Sequence, residues 1–384
     1  MKNFSDIAGL LAQRKNNQLY RSRIELQSAQ SVRVIVDGTP MLSFCSNDYL
    51  GLANHPKIAQ AMTAAIEKYG VGSGASHLVD GHHREHELLE QELAVFTGRE
   101  KTLLFSTGYM ANVGVISALL SRHDSVIQDK LNHASLIDGG ILSQAKLKRY
   151  RHNDVGHLAQ QLERADGKKL VVTDGVFSMD GDCAPLSAIA ELCQQHDAWL
   201  LVDDAHGFGT LGETGAGLVS QLNLTSQQVP LLIGTLGKAF GTSGAFVTGD
   251  TDTLDYLMQF ARPYIYTTAT PPSIAAATRA SLKLVIAGEA KRAQLNANIA
   301  HFRAGVSQLG YELMRSNTAI QPIIVGSNER ALSMSAKLKA KGLLVTAIRP
   351  PTVPVGTARL RITLSAEHTK TDVDELLSAL EAIQ

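Results

Sequence analysis

From about residue 100 to residue 285, short β-rich runs alternate with helix-period segments, and this alternation constrains the fold more than any other feature. The runs are TLLF (102–105), SVIQ (125–128), KLVVTD (169–174), WLLVDD (199–204), PLLIG (230–234) and GAFVTG (244–249). Between most of them lie segments with apolar residues at helical spacing: MANVGVISALL, HLAQQLERA and LSAIAELCQQH. Strands that are apolar throughout and separated by helices imply a mostly parallel sheet covered on both faces, an α/β fold. Residues 272–300 read as one long helix leading to a second lobe. There, helix 298–309, strand IQPIIV, helix 330–341, strands LLVTAI and ARLRITL and a final helix 371–383 predict a smaller α+β domain. The expected domains are 1–45 (a first helix and short strands), 46–285 (the large domain) and 286–384 (the small one).

Composition narrows the function classes. A chain of 384 residues, 44% of them hydrophobic, has ample material for two cores. Lysine plus arginine and aspartate plus glutamate number 36 each, so no net field attracts nucleic acid or anionic lipid, and neither is an expected partner. Cys45, Cys183 and Cys193 are odd in number, far apart and without a C-x-x-C pair, which suits a reducing cytoplasm. No apolar run approaches a membrane span. The basic, amphipathic start MKNFSDIAGLLAQRKNNQLYRSR lacks a secretory cleavage pattern and reads as a first helix.

In open α/β sheets, ligands bind beyond the carboxyl ends of the strands. Gly108 follows TLLF, Ser178 follows KLVVTD, Asp203 and His206 follow WLLV, and Thr235 and Lys238 follow PLLI. Lys238 stands alone among glycines and small residues in GTLGKAFGTSGA (234–245). An amine that attacks a carbonyl must be neutral part of the time, which a tight apolar setting favours. Small neighbours leave room for a flat cofactor. Pyridoxal phosphate would need three further things: a carboxylate at the pyridine nitrogen, a phosphate cradle at a helix start, and a flat group against the ring. Asp203 in VDDAHG, Gly108 and Tyr109 in STGYMANVG, and His133 in LNHASL can meet these needs.

Other motifs fail. GFGTLG (207–212) matches G-x-G-x-x-G but is followed by a poor helix start, and no strand ending in an acid lies at the spacing a dinucleotide requires. GK at 237–238 has Leu232 and Ala239 where a phosphate loop needs Gly and Ser or Thr. No G-x-S-x-G is present. HHREHE (82–87) places His82 and His86 at i, i+4, but no third ligand is evident, so the cluster reads as solvated or structural and no metal is expected. A dinucleotide-dependent oxidoreductase or a non-enzymatic binding protein would leave the Lys238 constellation unexplained.

DDAHG (203–207) followed by TLGKAFG (235–241) resembles the α-oxoamine synthase family of fold type I pyridoxal-phosphate enzymes. SNDYLGLANHP (46–56), GSGAS (72–76), HNDVGHL (152–158), DGVFSMDGD (174–182) and IRPPTVPVGTARLRITLSAEHT (348–369) extend the likeness almost end to end. The resemblance implies a Schiff base on Lys238, Asp203 at the pyridine nitrogen, and His133 stacked on the ring and orienting substrate. It implies Ser178 and His206 near the phenolic oxygen, with Gly108, Tyr109 and Thr235 seating the cofactor. Asn47 and Arg349 resemble the pair that holds the amino-acid carboxylate, and Arg21 and Thr352 resemble acyl-substrate contacts. Within the family, IRPPTVPVGTARLR and the Arg21-containing start are similar to the branch that condenses L-alanine with a pimeloyl thioester for biotin synthesis. The acyl carrier is coenzyme A or acyl-carrier protein. Sister branches use glycine with acetyl-CoA or succinyl-CoA. The family further implies a homodimer in which Thr267 and Thr268 reach the partner's cofactor phosphate.

Overall fold

A computed structural model describes residues 6–384. The described chain divides into two units: one of residues 48–178 and 182–293, the other of residues 6–47, 179–181 and 294–384.

The first unit is built on a seven-stranded sheet. Its order is Lys101–Phe105, Ala245–Gly249, Leu231–Thr235, Trp199–Asp203, Lys169–Asp174, Ser125–Asp129 and Lys146–Tyr150. All neighbours pair in parallel except Ala245–Gly249, which is antiparallel to both of its neighbours. The apolar runs seen in the sequence are therefore the buried strands: Leu170, Val171 and Val172, Leu200, Leu201 and Val202, and Leu231, Leu232 and Ile233 are all buried. One strand is absent from the sequence reading. Lys146–Tyr150 reads KLKRY and is mostly open to solvent, because it lies at the sheet edge, where charged residues block further pairing. Helix Gly108–Leu119 packs on the sheet through Ala111, Val115 and Ile116, which join the core with Phe105, Leu136 and Val247.

The segment read as one helix over 272–300 is two. Helix Pro272–Ile286 ends at Ala287, and helix Glu289–Gln308 begins after Gly288. The side chain of Arg292 closes the break by donating to Val285 O at 2.6 Å.

The second unit contains two three-stranded sheets. Arg33–Val36 pairs with Thr39–Ser43, which pairs in parallel with Leu343–Leu344. Ile320–Gly326, Ala358–Thr363 and Thr346–Ile348 form the other, antiparallel throughout. LLVTAI is thus not one strand; it changes sheets at Val345. The helix near the N-terminus, Ile7–Asn16, has no buried residue. No helix among the described residues is long and apolar enough to cross a membrane.

Candidate active site

Lys238 lies in the loop between Leu231–Thr235 and Ala245–Gly249. Its backbone is pinned from both sides. Gly241 N–H donates to Lys238 O at 2.8 Å, and Leu236 N–H donates to Gly244 O at 2.9 Å. Gly241 has φ of +66°, and a Cβ there would sit 2.4 Å from Ala53 N. Glycine is therefore required where the lysine loop presses on the backbone of the 52–53 segment.

The half-buried Lys238 side chain ends 2.8 Å from His206 Nε2, and His206 Nδ1 lies 2.6 Å from the hydroxyl of buried Tyr49. With Nζ donating to Nε2, the proton of His206 sits on Nδ1 and points to Tyr49. The imidazole is thus fixed at both nitrogens, and it holds the amine in one direction.

Asp203 ends the neighbouring strand. Its Oδ2 accepts from Asn112 Nδ2 at 2.6 Å and its Oδ1 from Ala205 N–H at 3.0 Å. Asn112 also donates to Ser135 Oγ at 2.8 Å, so the helices carrying Asn112 and Ser135 both orient the carboxylate. Asp174 lies opposite Asp203 in the parallel register. Burial, with Asp203 beside it, pushes the Asp174 carboxyl well above the usual range. Its Oδ2 accepts from His133 N–H at 2.7 Å. Asp204 turns the other way, into the protein, where Oδ2 accepts Leu218 N–H at 2.5 Å; burial pushes its carboxyl up to about 8. Of the two adjacent aspartates, Asp203 is the one that belongs with Lys238.

His133 caps helix Ala134–Leu142, with Nδ1 accepting Ser135 N–H at 3.3 Å. Ser178 is half-buried beyond Lys169–Asp174, and Thr235 Oγ1 donates to Gly244 O at 3.2 Å. Tyr109 is exposed, and its hydroxyl donates to Asp138.

These residues fit a pyridoxal phosphate. An amine and a carboxylate stand at the ends of adjacent strands, and there is open space against backbone. A Cβ at Gly108 would meet no atom within 4 Å, and one at Gly237 nothing nearer than 3.7 Å. Gly108 also begins a helix capped by Thr107, where free N–H groups suit a phosphate.

The remaining expected residues lie in the second unit. Arg21 Nη2 donates to Thr352 Oγ1 at 3.4 Å, and Arg349 donates to Gln18 O. These three residues line a cavity of about 580 Å³ together with Lys15 and Tyr20; it has three cationic lining residues and no acidic one. Asn47 is hydrogen-bonded to a guanidinium. Its Oδ1 accepts from Nη2 of the buried Arg361 at 3.2 Å, and Arg361 Nη1 donates to Thr363 Oγ1 at 2.9 Å.

The sequence reading missed Tyr49, Asn112 and Arg361. Asn112 is a polar residue on the apolar face of MANVGVISALL, and Arg361 alternates with Arg359 along a buried strand. In each case polarity at a buried position was the available signal.

Residues 39–380 match aminotransferase class I and II. The chain belongs to this family. An 8-amino-7-oxononanoate synthase of Pseudomonas entomophila (strain L48) is 59% identical over 375 residues, covering 98% of this chain and 96% of that one. A solved structure of SPT with a PLP internal aldimine matches at a TM-score of 0.95 and 33% identity, covering 100% of this chain and 98% of that one. The 8-amino-7-oxononanoate synthase from Francisella tularensis matches at a TM-score of 0.78 and 34% identity, covering 89% and 97%. This member of the aminotransferase class I and II family therefore has the α/β fold of the type I pyridoxal-phosphate enzymes.

Proposed function

We propose that the chain is a pyridoxal-phosphate-dependent acyltransferase that condenses L-alanine with a pimeloyl thioester. CO2 and the thiol carrier leave, and 8-amino-7-oxononanoate is delivered to biotin synthesis. The observation that carries this reading is the Tyr49–His206–Lys238 chain at the strand end next to Asp203, in a protein 59% identical to a named synthase of this type.

Bound at Lys238, pyridoxal phosphate supplies an electron sink for charge at the substrate carbon next to the amine. Asp203, held by Asn112 and Ala205 N–H, keeps a positive charge at the pyridine nitrogen. Lys238 Nζ would take the proton from the substrate Cα and later return one. His206 and Tyr49 keep the amine aimed during this exchange. His133 supports the ring and orients the substrate, Ser178 serves the phenolic oxygen, and Gly108, Tyr109 and Thr235 seat the cofactor. Asn47 is assigned to the amino-acid carboxylate with Arg361, its observed partner, because a guanidinium fork makes paired bonds to a carboxylate. Arg349 shares a cavity with Arg21 and Thr352 and is assigned with them to the anionic acyl substrate. Either coenzyme A or acyl-carrier protein is anionic and suits these cations. The working form is a homodimer, with Thr267 and Thr268 serving the partner's cofactor phosphate. A reducing cytoplasm suits the three free cysteines.

The test is a mass-spectrometric product assay with each amino acid and each thioester. L-Alanine with pimeloyl-CoA should give 8-amino-7-oxononanoate and CO2, with glycine or acetyl-CoA at least about tenfold poorer in kcat/KM, the scale on which one methyl in a fitted pocket discriminates. Preference for glycine with a short acyl-CoA would instead make the protein a sister synthase.

A further inference from the structure

We propose that His77 and His82 form a seat for a divalent transition-metal cation of the zinc type. None of its residues belongs to the Lys238 constellation.

The sequence offered His82 and His86 on one helix face, without a third member. The structure arranges them differently. Helix Arg84–Thr97 begins only after His83, its N-cap, so His82 lies in the preceding loop. That loop folds back to bring His77 against it: the two Nδ1 atoms are 2.8 Å apart and the ring centroids 5.1 Å. His86 lies behind both, at centroid distances of 5.1 Å from His77 and 5.5 Å from His82. Ligand nitrogens from all three lie within 4.8 Å of one another.

The three rings have different duties. His86 is fully engaged: Nδ1 accepts His83 N–H at 3.0 Å, and Nε2 donates to Thr270 O at 2.7 Å. It is a fixed wall. Tyr264 stacks on His77 at 5.2 Å and 9°, which sets the plane of that ring. Glu87 Oε2 lies 3.4 Å from His82 Nε2. A carboxylate there keeps the proton on Nε2 and turns the Nδ1 lone pair toward His77, the arrangement in which a histidine presents itself to a metal. In this state His77 Nδ1–H donates to His82 Nδ1. A cation takes the place of that shared proton, which moves to His77 Nε2.

With both His86 ring nitrogens in use, only His77 and His82 present their facing Nδ1 atoms to a cation. Two nitrogens bonded tetrahedrally to zinc at about 2.0–2.1 Å stand about 3.3 Å apart, so the pair must open by about 0.5 Å. The side chains of His82 and Glu87 are 26% and 46% exposed, which gives His82 freedom to move and the cation a path in. Carboxylate oxygens of Glu87 and Glu90 lie within 4.8 Å of a His82 ring nitrogen and offset the incoming charge. Two imidazoles with carboxylates select zinc, nickel, cobalt or copper over magnesium.

The experiment uses untagged holoenzyme stripped with a chelator and dialysed against Zn2+ or Mg2+. Bound metal is counted by elemental analysis, and affinity is read by competition with a chromogenic zinc indicator. The expected result is about one zinc per chain at micromolar affinity or tighter and no magnesium. His82→Asn should weaken zinc binding by at least about tenfold while its melting temperature stays near wild type. His77→Asn should do the same, and if it misfolds, the more exposed His82 variant decides alone. No stoichiometric zinc in the wild type, or zinc bound equally well by His82→Asn, overturns the proposal.

Discussion

Lys238→Ala should leave a folded protein whose turnover falls by about 10³-fold or more. The amine is the attachment point for the cofactor and the group that takes the Cα proton, and positioned proton transfer alone is worth about 10²–10⁴-fold. The fold should survive, because the loop is held by backbone bonds at Lys238 O and Gly244 O that alanine keeps. Cofactor binding adds stability by mass action, so melting temperatures are to be compared between the cofactor-free forms. A variant with near wild-type turnover, or one that cannot fold without the lysine, would contradict the role assigned here.

Asp203→Asn is the second large effect. The amide keeps the shape of the side chain and removes its charge from the ring nitrogen. The expected loss in kcat is on the order of 10²–10³-fold, the scale of removing one preorganised electrostatic partner. The cofactor should still attach to Lys238, which stands on a different strand end, so visible absorbance should persist while turnover falls. Asp204→Asn separates the two adjacent acids. Asp204 faces Leu218 N–H inside the protein, so its replacement should alter stability with little effect on kcat. If Asp204→Asn lowered kcat as much as Asp203→Asn, the assignment of the pair would be wrong.

The large sheet was legible because its central strands are buried on both faces. KLVVTD and WLLVDD could hardly be anything else. KLKRY was not legible, since an edge strand has no buried face to force a pattern. LLVTAI looked continuous because its apolar run does not record that Leu343–Leu344 and Thr346–Ile348 pair with different strands. The break at Gly288 was hidden in a segment whose residues on both sides favour helix.

The site follows the same division. Lys238, Asp203, His133 and His206 could be placed at strand ends because chain order and strand position coincide there. Tyr49 meets His206 across a sequence separation of 157 residues, and Arg361 meets Asn47 across 314. Such pairs depend on how distant segments fold together, which local pattern does not encode. His77 and His82 are only five residues apart, yet their contact depends on a loop reversal that spacing alone does not reveal.

The most direct test of the central claim is to reduce the holoenzyme with borohydride, digest it and map the pyridoxal-phosphate adduct by mass spectrometry. The account predicts a single adduct, on Lys238 of the GTLGKAFGTSGA segment. An adduct on another lysine, or no adduct after saturation with pyridoxal phosphate, would contradict it.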